Sequence, residues 1–141
     1  MEIQPYVHNV KYYETDAMGI VHHSNYIRIM EEARIDYLNQ LGYNYAELEK
    51  TGVFSPVTKV ECQYKMPSTF GDDLRVTILV EEITAVRIRF RYKMVNQRSV
   101  LVCTAWSEHC FVDRAGKILR IDKDYPEFFE VLKQKSDENC L

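Results

Sequence analysis

A chain of 141 residues with 46% hydrophobic and 28% charged side chains buries roughly two thirds of its surface on folding, which excludes a disordered polypeptide and a dependence on disulfide or metal staples. Eighteen Lys and Arg against 21 Asp and Glu leave a formal charge of -3, so there is no general attraction for nucleic acid or an anionic membrane. With five Gly, four Pro and no linker-like tract or repeat, a single domain over residues 1–141 is expected.

The N-terminal Met1-Glu2-Ile3-Gln4-Pro5 lacks a basic segment followed by an apolar one. No apolar run approaches the ~20 residues that cross a bilayer, so neither a signal peptide nor a membrane span is expected. Cys62, Cys103, Cys110 and Cys140 form no CxxC pair. Their spacing fits neither a zinc knuckle nor a disulfide framework and predicts free thiols in a reducing cytoplasm.

In chain order, the first expected strand covers residues 6–13, with Tyr6, His8, Val10 and Tyr12 on one side. A break at Thr15-Asp16-Ala17-Met18-Gly19 follows. Ser24 then reads as the N-cap of a long helix. At 100° per residue, Tyr26, Ile29, Met30, Ala33, Tyr37 and Leu41 form one apolar stripe, and Gly42 stands where a C′ glycine belongs. Ile27, Ile35 and Leu38 make a second flank. A short helix over residues 44–50 is expected next. Alternation then predicts strands near 58–66, 74–80, 86–94 and 100–112, the last apolar on both faces. A short strand over 117–120 and a closing helix with Pro126 in its first turn complete the reading. One strand, one long helix and four further strands describe an antiparallel α+β domain, its sheet wrapped around the helix.

The chemistry concentrates between Tyr12 and Tyr26. A strand end, a glycine-containing turn and a helix N-terminus meet there, with Asp16 before the turn and His23 just before the expected cap. Unpaired N–H groups at a helix start, together with its dipole, polarise a carbonyl placed against them and stabilise the developing oxyanion. A nearby carboxylate then attacks that carbonyl or activates a water. By residue type alone, an Asp in a turn is most often a turn former or cap, and a His before a helix is often only a polar loop residue.

The spacing Tyr12-x-x-x-Asp16-x-x-Gly19-x-Val21-x-His23-x-x-Tyr26, followed by Glu31-x-Ala33-Arg34, closely resembles the 4-hydroxybenzoyl-CoA thioesterase family of hotdog-fold proteins. Within it, the chain is most similar to the small acyl-CoA thioesterases often encoded beside the Tol-Pal genes. A looser likeness continues through Tyr64-Lys65-Met66-Pro67 and Gly71-Asp72. The resemblance implies a hotdog fold, hydrolysis of an acyl-CoA to free acid and coenzyme A without metal or redox cofactor, and a homodimer or homotetramer with sites at the dimer interface. It assigns Asp16 as nucleophile or general base, the backbone amide of His23 as the carbonyl-polarising donor, and the side chains of His23 and Tyr12 as assistants. His22 departs from the family, where many relatives carry Tyr. Two other functions are weighed against hydrolysis: a hotdog hydratase or dehydratase, whose shorter Asp and His motif is absent here, and a non-catalytic acyl-CoA-binding module, which has no need of Asp16.

Elsewhere, Glu31 and Arg34 are expected to form an i,i+3 pair on the helix. The alternating Arg87, Arg89, Arg91 and Lys93 read either as a receptor for coenzyme A phosphates or as the solvent side of a strand. Ser107 and His109 share a strand face from which Glu108 points away, a poor basis for a nucleophilic triad.

Overall fold

The computed structural model describes residues 2–139. Five strands, β1 (Tyr6–Asn9), β2 (Val57–Tyr64), β3 (Asp73–Ile83), β4 (Arg87–Val95) and β5 (Leu101–Cys110), form one antiparallel sheet in the order β1-β3-β4-β5-β2. Among the described residues four α-helices accompany it: α1 (His23–Gln40), α2 (Tyr45–Thr51), α3 (Ile121–Asp124) and α4 (Pro126–Glu138). The α+β hotdog expectation is met. Period-two alternation puts Leu74, Val76, Ile78 and Val80 of β3 on the inner face, with Ile88, Phe90, Tyr92 and Met94 of β4 beside them. Against this face α1 lays Tyr26, Ile29, Met30, Ala33 and Tyr37, all buried as the helical stripe predicts.

Several boundaries differ for local reasons. The first strand ends at Asn9, because the Glu14 carboxylate accepts the Lys11 N–H at 2.7 Å and winds Tyr12–Glu14 into a 3-10 turn. The N-cap of α1 is His22, not Ser24; its Nδ1 accepts the Ser24 N–H at 3.2 Å, so the helix starts one residue before Ser24. No strand forms over 117–120. Asp113 accepts the N–H groups of Ala115 and Lys117 in a tight turn, leaving one bridge between Val112 and Ile118. Cys62, Cys103 and Cys110 are free thiols, as expected, and Cys140 lies outside the described residues. Among the described residues no helix is long and apolar enough to cross a membrane.

Beneath α1 runs a buried polar chain that the sequence did not announce. Arg34 does not pair with Glu31; its Nη1 donates to the Tyr92 hydroxyl at 3.0 Å, because this flank of α1 faces the sheet. The Tyr92 and Ser107 hydroxyls are 2.6 Å apart, Ser107 lies 2.9 Å from His109 Nε2, and His109 Nδ1 is 3.1 Å from the Ser55 carbonyl. With His109 neutral and protonated on Nδ1, every donor in the series finds an acceptor. Ser107 is thereby consumed in packing, and Glu108 points to the opposite face, where it pairs with Arg89. Burial pushes the His109 imidazole from 6.5 down to about 4, and the Arg34 cation adds to the effect. Between those values the unfolded chain binds a proton that the folded chain does not. Stability is therefore lost as pH falls from about 6.5 towards 4, by something on the order of 3 kcal/mol. Replacing His109 with Gln is expected to flatten the urea midpoint across this window; an undiminished slope would assign the acid sensitivity to other groups.

Candidate active site

The segment from Glu14 to His22 is a small hairpin. Thr15 pairs with Val21, the Asp16 N–H donates to the Ile20 carbonyl at 2.7 Å, and the Gly19 N–H returns to the Asp16 carbonyl at 2.9 Å. Gly19 takes φ +80, where a side chain is strained, which is why glycine closes this turn. Asp16 Oδ1 accepts from the Met18 N–H at 2.8 Å and more loosely from Ile20 at 3.4 Å. Among the described residues Oδ2 has no hydrogen-bond partner. One carboxylate oxygen shapes the turn and the other is left available.

The second limb of the hairpin leads straight into α1. The His22 N–H donates to the Glu14 carbonyl at 2.8 Å, and the buried Asn25 side chain donates to the same oxygen at 2.8 Å. His23 is the first helical residue, and its N–H has no partner among the described residues. The His22 and His23 rings stack at 4.2 Å. From β2, Tyr64 donates its hydroxyl to the His23 carbonyl at 3.2 Å and sets its ring edgewise to the imidazole at 6.5 Å. Burial raises the Tyr64 phenol to about 12, so it remains a neutral donor.

The structure thus brings Asp16 and His23 onto one supersecondary unit, the turn and the end of a single hairpin. Tyr12 is placed differently. Its side chain is 75% exposed and packs edge-on against Phe70 at 5.7 Å, with no hydrogen bond or ring contact to Asp16 or His23 among the described residues. Tyr12, Tyr13, Met18 and Phe70 are large, apolar and exposed. A groove of about 450 Å³ beside α2 and the start of α4 is lined by Tyr43, Leu48, Tyr125 and Phe128, and by neither Asp16 nor His23.

Residues 10–135 match the family model described as the thioesterase-like superfamily. The chain belongs to that superfamily. Relatives of stated activity identify it as a thioester hydrolase. YneP of Bacillus subtilis, which carries a provisional acyl-CoA thioesterase name, is 35% identical over 120 residues, 84% of this chain and 87% of its own. The 1,4-dihydroxy-2-naphthoyl-CoA hydrolase of Thermosynechococcus vestitus is 31% identical over 108 residues, 76% of this chain and 74% of its own. The crystal structure of a DHNA-CoA thioesterase from Staphylococcus aureus superposes with a TM-score of 0.92 at 31% identity, covering 96% of this chain and 92% of that one.

In this thioesterase the Arg87, Arg89, Arg91 and Lys93 row occupies the sheet face opposite α1. Arg89 is held by Glu81 and Glu108 at 2.7 Å each, and Arg89 and Arg91 both lie over the Trp106 ring, at 5.9 and 6.0 Å. A guanidinium already shared between two carboxylates is a poor phosphate receptor. Arg89→Ala is therefore expected to leave KM within about twofold of wild type; a several-fold rise in KM with steady kcat would return the phosphates to this row.

The site residues missed from sequence are Glu14, Asn25 and Tyr64. Glu14 had a legible signal, since an acid three residues after Lys11 can reach back to its N–H. Asn25 and Tyr64 had none, because their partners lie 11 and 41 residues away in the chain.

Proposed function

We propose that this chain hydrolyses an acyl-CoA thioester to a free acid and coenzyme A, with Asp16 as base or nucleophile. The observation that carries the reading is the division of labour at Asp16. Oδ1 is engaged by the turn, Oδ2 is unengaged, and the same hairpin delivers an unpaired N–H at the first residue of α1. The thioester carbonyl accepts that His23 N–H, and negative charge develops on its oxygen where the helix dipole favours it. As base, Asp16 removes a proton from water as the water oxygen bonds to the carbonyl carbon. The tetrahedral intermediate then collapses, the C–S bond breaks, and coenzyme A leaves as thiolate. As nucleophile, Asp16 attacks the carbonyl carbon, the C–S bond breaks to release coenzyme A as thiolate, and water later opens the resulting mixed anhydride. The His23 side chain orients water and substrate in either route.

The site is completed by a second copy of the chain, as dimer or tetramer. Two features support this: the outer edge of β2 is unpaired, and Ile27, Val57, Tyr64 and Met66 are exposed. The whole chain forms one catalytic domain. Its place among the Tol-Pal-associated thioesterases is part of the same reading, and the neighbouring genes test it.

Release of free thiol from a panel of aliphatic and aromatic acyl-CoA esters tests the reaction and its substrate class, with 1,4-dihydroxy-2-naphthoyl-CoA included because several relatives are named for it. Loss of enoyl absorbance without thiol release would favour a hydratase, and tight binding with neither would favour a non-catalytic module. A single turnover in ¹⁸O water tests the nucleophilic role of Asp16, since label in its carboxylate requires an anhydride opened at the Asp16 carbonyl.

A further inference from the structure

Behind the hairpin, four polar side chains from three parts of the chain meet in a line. The buried His8 ring of β1 lies between two carboxylates. Its Nε2 is 2.9 and 3.0 Å from the two oxygens of Glu14, and its Nδ1 is 3.1 Å from Glu32 Oε2. Tyr6 donates its hydroxyl to the same Glu32 oxygen at 2.7 Å. Glu14 is itself buried and accepts the Lys11 N–H, while its backbone carbonyl receives the His22 N–H and the Asn25 side chain.

The geometry of α1 gives this line a purpose. Asn25 and Glu32 are seven residues apart, which is about 20° short of two full turns and ~10.5 Å along the axis. They therefore share one face of α1, and both lead to Glu14: Asn25 directly, Glu32 through His8. A helix tethered to the hairpin at one point can pivot about it, whereas two tethers two turns apart fix its direction. The hairpin carries Asp16, and α1 carries the His23 N–H. Fixing one against the other fixes the line from Oδ2 to a carbonyl held at that amide, and errors of 1 Å in such a line cost on the order of a hundredfold in rate.

We propose that His8 is a positioning residue, joining Glu14 to Glu32 so that the Asp16 turn and α1 keep one relative orientation during the reaction. This rests on the assignment of Asp16 given above.

His8→Leu removes both links. It is expected to lower kcat by at least about tenfold with KM within about threefold, since positioning acts on the transition state. Amide hydrogen exchange should quicken over residues 14–25 and stay unchanged in β3 and β4. His8→Gln, which keeps a donor towards one carboxylate, should regain part of kcat. Wild-type kcat in a folded His8→Leu protein overturns the proposal. So does a loss of kcat accompanied by faster exchange throughout the sheet and no recovery in His8→Gln. If His8→Leu gives no folded protein, Glu32→Met decides. The Glu32 side chain is half-exposed and Met keeps its length while removing the acceptor of His8 and Tyr6; a drop in kcat of at least threefold at steady KM supports the tether, whereas an unchanged kcat overturns it. Asp16→Asn measured alongside keeps the two ideas apart. Near-normal Asp16→Asn turnover removes the assignment on which the tether depends, while an inactive Asp16→Asn beside a fully active His8→Leu removes the tether alone.

Discussion

Asp16→Asn should yield a folded protein whose kcat is lower by about 10²–10⁴-fold, the usual contribution of a positioned proton acceptor. The substitution is informative because the two carboxylate oxygens do different things. Asparagine keeps an acceptor where Oδ1 now receives the Met18 N–H, so the turn survives, and it replaces the unengaged oxygen with a neutral amide. The thermal midpoint should therefore match wild type. Asp16→Ala removes both oxygens and should additionally lose about 1 kcal/mol of stability, the ordinary value of one such hydrogen bond. Turnover by Asp16→Asn close to wild type, measured by thiol release, would transfer the chemistry to another group.

Phe90→Ala should destabilise the fold by about 3–5 kcal/mol, with a urea midpoint that falls accordingly. Phe90 sits on the inner face of β4 and joins three rings: Tyr37 of α1 at 6.2 Å, Tyr92 at 6.4 Å and His109 at 5.6 Å. Its loss would leave a void between α1 and the sheet and unseat the polar chain that runs from Arg34 to Ser55. Leu79→Ala on the outer face of β3, where the side chain is partly exposed, should stay within about 0.5 kcal/mol of wild type. Equal losses from the two would mean that the core does not lie between α1 and the inner sheet face.

Legibility varied with the range of the interaction. The inner rows of β3 and β4 and the buried stripe of α1 could be read residue by residue, because alternation and 3.6-residue periodicity are properties of adjacent positions. Pro126 at the start of α4 and Gly42 after α1 were equally plain, as each follows from its own backbone preference. The cap of α1 is His22, where residue type points to Ser24. Ser24 is a good cap by residue type, yet the His22 N–H is held by the Glu14 carbonyl, and His22 sits in extended backbone (φ -64, ψ 135) with its imidazole over the first helical amides. A bond across eight residues displaced the cap by two positions.

The candidate site divides in the same way. Asp16, Gly19 and His23 lie within eight residues, and their spacing alone marks a turn that feeds a helix N-terminus; the family resemblance rests on that short motif. What the motif does not contain is everything that holds it: His8 against Glu14 and Glu32, Tyr64 under His23, and Arg34 turned from Glu31 towards Tyr92. Those pairings join positions up to 58 residues apart. Local patterns are written into neighbouring residues by bond geometry and the burial of one face, whereas polar partners across the chain are selected only when packing brings their elements together and leaves each donor a single acceptor within reach.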